Sequence, residues 1–104
     1  MNMIDLKIQH YFSGREYAKR MHLPAGHYAE THEHAHDHLS ILAVGEVLVT
    51  IDGAETRYVG PDCITIRAGQ QHRIEALTDS VWFCVHATDE TDPEHVDEVL
   101  IKKD

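Results

Sequence analysis

The chain has 104 residues, with 18 acidic against 9 basic side chains and a formal net charge of −9. That length suits one domain with a modest core, so residues 1–104 are read as a single unit. The charge repels phosphate backbones and anionic lipid headgroups, which excludes nucleic acid and membrane surfaces as expected partners.

From the amino terminus, Met1 to His10 mixes Asp5 and Lys7 with scattered apolar residues and has no continuous apolar stretch of signal or membrane-spanning length. A cytoplasmic protein is expected. Cys63 and Cys84 then read as reduced thiols packing as small hydrophobes in apolar strands.

From about residue 16 to 88 the sequence shows short runs rich in Val, Ile and Leu, cut by turn residues, which predicts an all-β sandwich or barrel. The clearest runs are Leu39 to Val44, Val47 to Ile51, Thr56 to Val59, Cys63 to Ile66, His72 to Leu77 and Val81 to Ala87. Gly45, Asp52-Gly53, Gly60-Pro61-Asp62, Gly69 and Thr78-Asp79-Ser80 stand between them as turns. Asp-Gly between alternating runs is a strong hairpin signal. Thr91-Asp92-Pro93 has the form of a helix start, so a short C-terminal helix is expected over about Pro93 to Lys102, with a last strand over Val99 to Lys102 as the alternative.

Ten histidines are the compositional anomaly, and His32, His34, His36 and His38 occupy alternate positions. One unbroken strand would point all four to one face. At about 3.3 Å per residue it would also hold His32 and His38 roughly 20 Å apart, too far for a shared ion bound at about 2.0–2.1 Å. Either the chain bends between His34 and His38, for which Ala35-His36-Asp37 is suited, or His38 is no ligand. A bend would set three ligands on two adjacent strands and leave His36 nearer solvent. A fourth ligand is best supplied by His72, which opens an alternating run after the Gly69 turn.

Pro24 to Val59 resembles the first conserved motif of the cupin superfamily: Gly26, five residues, His32-x-His34, three residues, His38 in the usual place of Glu, six residues, Gly45. Gly60 to Ala76 is similar to the second motif through Gly69 and His72, with Arg67 where Pro is usual and Ala76 where Asn is usual. The resemblance implies a double-stranded β-helix, or jelly-roll, barrel of the small single-domain kind. It also implies one divalent metal on His32, His34, His38 and His72. The exchange of Glu for His resembles the four-histidine branch, for which Mn or Fe is the expected metal, with Zn, Ni, Co or Cu as alternatives.

Four neutral imidazoles leave a divalent ion near its full charge, so the expected substrate is a small organic anion. Two open positions on an octahedral metal would accept it. Phe83 and Val85 are expected on the barrel interior as a pocket wall, unless they only fill the core. Arg67 and Arg73 are candidate clamps for a carboxylate, as is Arg57, although pairing with surface acids explains them equally. Three functions fit: a dioxygenase-type enzyme, a Lewis-acid isomerase or lyase of a sugar acid, and a non-catalytic metal or ligand sensor. Exposed strand edges and apolar runs such as Leu39 to Val44 predict a homodimer.

Overall fold

The structure is a computed structural model and describes residues 6–30 and 37–87. These residues form nine strands: β1 (Gln9–Ser13), β2 (Glu16–Leu23), β3 (Tyr28–Glu30), β4 (His38–Val44), β5 (Glu46–Ile51), β6 (Ala54–Val59), β7 (Asp62–Ile66), β8 (His72–Ala76) and β9 (Ser80–Ala87). Strands β4 to β9 follow the six apolar runs to within two residues. The first three strands carry weaker signals. β1 is an edge strand whose side chains are mostly exposed, so it needs no apolar alternation, and it lies ahead of the expected start near residue 16.

All strand pairs are antiparallel and fall into two sheets, ordered β1-β2-β9-β4-β7 and β3-β8-β5-β6. The result is an all-β jelly-roll barrel. Met21, Leu23, Leu42, Ile64, Ile66 and Trp82 from the first sheet meet Val47, Val49, Ile74 and Ala76 from the second. Burying each larger apolar side chain contributes about 1.5–3 kcal/mol before conformational entropy is counted, so this layer holds the sheets together.

The β5–β6 hairpin turns at Asp52 and Gly53, with φ of 50° and 81°, the left-handed pair that Asp-Gly adopts readily. No helix among the described residues is long and apolar enough to cross a membrane. The C-terminal helix expected over about 93–102 lies outside the described residues.

Candidate metal centre

The end of the barrel that carries the site is built from the start of β4, the start of β8 and the end of β9. Along β4, His38, Ser40 and Leu42 face inward, while Leu39 and Ile41 face out. Along β8, His72, Ile74 and Ala76 face inward. His38 and His72 are 4 % and 2 % exposed and come from opposite sheets, with ring centroids 6.2 Å apart. Two imidazoles that share an ion at about 2.0–2.1 Å per nitrogen have centroids no more than about 6.5 Å apart. The separation is inside that reach, near its upper end, so both residues fit a common ion.

His32, His34 and His36 lie outside the described residues. Among the described residues, no three His, Cys, Asp or Glu side chains converge as a metal group. The strands flanking that segment, β3 and β4, belong to different sheets rather than pairing with each other as the sequence suggests. Pairing neighbours in sequence is the local default, and here the barrel topology overrides it.

The loop between β7 and β8 sets the relative position of the two histidines. Ala68 N–H donates to Asp37 Oδ1 at 2.7 Å, directly before His38. Gln70 Nε2 donates to Asp52 Oδ2 at 3.3 Å, directly after Ile51, the register partner of His72. Within the loop, Arg67 N–H donates to Gln70 Oε1 at 3.0 Å. These bonds tie the loop to both sheets, and Gly69 supplies the positive φ, 79°, that the turn requires.

Under His38 the inner face continues through Ser40 to Cys84. Ser40 Oγ lies 3.4 Å from His38 Nε2 and donates a long contact of 3.9 Å to Cys84 Sγ. Burial pushes the Cys84 thiol above its ordinary pKa, against smaller opposing effects of Ser40, Trp82 and the Lys19 charge.

Three expectations change. Phe83 and Val85 do not face the interior: Ser80, Trp82 and His86 are the buried residues of β9, and Phe83 and Val85 lie half-buried on its other face. The outer face of this sheet is itself apolar, with Leu39 paired to Val85 and Ile41 to Phe83, so hydrophobicity could not tell the two faces apart. Arg67 is no interior clamp. Its side chain is 71 % exposed, and its guanidinium pairs with Asp37 at 3.6 Å. Arg57 is paired with Glu46, whereas Arg73, 3.9 Å above the Tyr28 ring, lines the cavity beside His72. Lys19 stands in register with Cys84 on the inner face of the neighbouring strand. A cavity of about 430 Å³ opens at this end beside His72, walled by Glu30, Thr50, Asp52, Gln71 and Arg73.

The sequence also leaves His86 and Tyr17 unassigned. His86 is 5 % exposed and stacks on His38 at 4.3 Å between centroids, and Tyr17, 1 % exposed, stacks behind His86 at 6.2 Å. Their signal is alternation along β9 and β2, legible only once the buried face of each strand is known.

A family model described as Cupin domain matches residues 19–86. No curated protein sequence matches the chain. Among solved structures, a cupin superfamily protein from Desulfitobacterium hafniense superposes with a TM-score of 0.67 at 18% identity, covering 86% of this chain and 84% of that one. Salicylate 1,2-dioxygenase from Pseudoaminobacter salicylatoxidans, solved with gentisate, gives 0.69 at 15% identity over 75% of this chain, which spans 24% of the dioxygenase. The Cupin_2 domain of an XRE family transcriptional regulator from Enterobacter cloacae gives 0.65 at 13% identity, covering 75% of this chain and 90% of that domain. At these identities the likeness is one of fold.

Proposed function

The chain belongs to the Cupin domain family, and from there we propose that it binds one divalent transition metal through His32, His34, His38 and His72 and acts on a small anionic organic substrate in a dioxygenase-type reaction. The observation that carries the reading is the His38 and His72 pair: two buried imidazoles from opposite sheets, 6.2 Å apart, at the ligand positions of both motifs. When bound, the metal would polarise a substrate oxygen or hold substrate beside dioxygen. Mn or Fe is the proposed ion.

The fold-level likeness to a dioxygenase supports an oxygenase. A second reading, a ligand-binding sensor, draws on the transcriptional-regulator domain of similar size and fold. Metal analysis of untagged protein, followed by oxygen uptake with a panel of hydroxylated aromatic and keto acids, separates them. Oxygen consumption with any panel member supports the enzyme, and tight ligand binding without turnover supports the sensor.

A further inference from the structure

We propose that His86 is a positioning residue for the metal centre: stacked on His38 and backed by Tyr17, its ring holds the His38 imidazole in the orientation from which it binds the ion. The inference rests on the reading of His38 as a ligand.

The terminal torsion of histidine is broad, so the strand fixes where the His38 ring starts but not how it is turned. At the first residue of β4 what packs on the ring helps to set its plane. The Ser40 hydroxyl is a weak guide at 3.4 Å from Nε2. His86 is closer in the relevant sense, lying on the His38 ring at 4.3 Å and 29°.

His86 is in turn held from behind. Tyr17 stacks on it at 6.2 Å and 22°, Phe12 stacks on Tyr17 at 4.9 Å, and the Tyr17 hydroxyl lies 2.6 Å from His10 Nδ1. The rings occupy four neighbouring strands, in the order β1, β2, β9, β4. Phe12 pairs with Tyr17, and Tyr17 with His86. The row therefore transmits rigidity from the sheet edge to His38. Among the described residues His38, His72 and His86 do not form a metal-holding trio, and the role proposed for His86 is stacking, on the 4.3 Å ring contact with His38.

A ligand oriented before the ion arrives loses less rotational freedom on binding, and removing such support typically lowers metal affinity by about 10–100-fold. The test uses the untagged full-length chain titrated with Co(II), read by visible absorption and by competition with a chelator. Variants are His86→Leu, which keeps volume without a ring, His86→Phe, which keeps a ring without nitrogens, and His38→Ala. His86→Leu is expected to bind Co(II) at least about tenfold more weakly with an altered spectrum, and His86→Phe to keep wild-type affinity and spectrum. Unchanged affinity in His86→Leu overturns the proposal. So does equal loss in His86→Phe, which would make the imidazole itself the requirement. If His86→Leu fails to fold, Tyr17→Leu carries the same test, with wild-type affinity as the overturning result. Co(II) binding that survives His38→Ala removes the reading of His38 as a ligand and this inference with it, whereas loss in His38→Ala beside intact His86→Leu removes the inference alone.

Discussion

The rings of His38 and His72 meet across the barrel, 6.2 Å apart, although one belongs to the five-stranded sheet and the other to the four-stranded sheet. A shared ion would therefore bridge the two sheets as well as serve chemistry. His72→Ala and His38→Ala are each expected to reduce metal content from about one ion per chain to near zero, and His36→Ala to leave it intact. Elemental analysis after gel filtration decides, and full occupancy in His72→Ala would sink the four-histidine site.

Proton competition gives the metal a pH dependence. Imidazole, with an ordinary pKa near 6.5, must lose its proton before it coordinates. Metal occupancy and melting temperature are expected to fall together as pH drops through about 6, and the bound ion's own pull on the ligand protons moves the midpoint lower. Chelated protein is the control. Equal melting temperatures for loaded and chelated protein from pH 5 to 8, with metal bound at pH 8, would show that the ion contributes nothing to stability.

Cys84 sets a dependence in the alkaline range. Its folded-state pKa is raised by burial above the ordinary value of 9.0. The folded protein thus keeps the thiol proton where the unfolded chain loses it. The contribution to stability is complete below that value and is lost as pH rises through the folded pKa. Iodoacetamide is expected to label the partly buried Cys84 more slowly in native than in unfolded protein, and Cys84→Ser to flatten the alkaline decline in melting temperature. Equal labelling rates for Cys84 in native and unfolded protein would contradict its partial burial.

The outer face of the five-stranded sheet leaves Leu39 47 % and Ile41 37 % exposed, with Phe83 and Val85 half-buried beside them. The other sheet carries charges outward, Arg73 and Glu75 on β8 and Arg57 on β6. We expect a homodimer through the apolar face. Sedimentation should give a dimer at tens of micromolar, shifted to monomer by Ile41→Glu. Cys63 pairs with Ile41 in register and is exposed in the single chain, so its labelling should slow as protein concentration rises. A monomeric wild type would remove the prediction.

Gly45 permits the tight passage from β4 to β5. Its φ is 107°, and an added Cβ would collide with the Ser80 hydroxyl and lie 2.7 Å from Asp79 O and 2.8 Å from Ser80 Cα. Backbone on the Ser80 side cannot yield as a flexible side chain would. Gly45→Ala is expected to cost at least about 2 kcal/mol, the sum of a disfavoured φ and overpacking. Thermal denaturation should show a fall of roughly 10 °C, and an unchanged melting temperature would refute the close approach.

Strands β4 to β9 and the Asp52-Gly53 hairpin were legible in the sequence because apolar alternation and turn chemistry are local properties. The motif glycines Gly45 and Gly69 were legible too, since each answers a backbone need that no other residue meets easily. Tertiary structure decided what depends on which face is buried. Along β9 the outward positions Val81, Phe83 and Val85 are the more apolar set, so only the opposing sheet makes Trp82, Cys84 and His86 the inner set. The arginines were ambiguous for a similar reason. A charged side chain names no partner until the fold supplies one, and the fold gave Asp37 to Arg67 and the Tyr28 ring to Arg73. The sequence singled out His38 and His72 as a pair through spacing and resemblance. The stack of His86 and Tyr17 behind His38 arises from register across non-consecutive strands, and no sequence spacing encodes that.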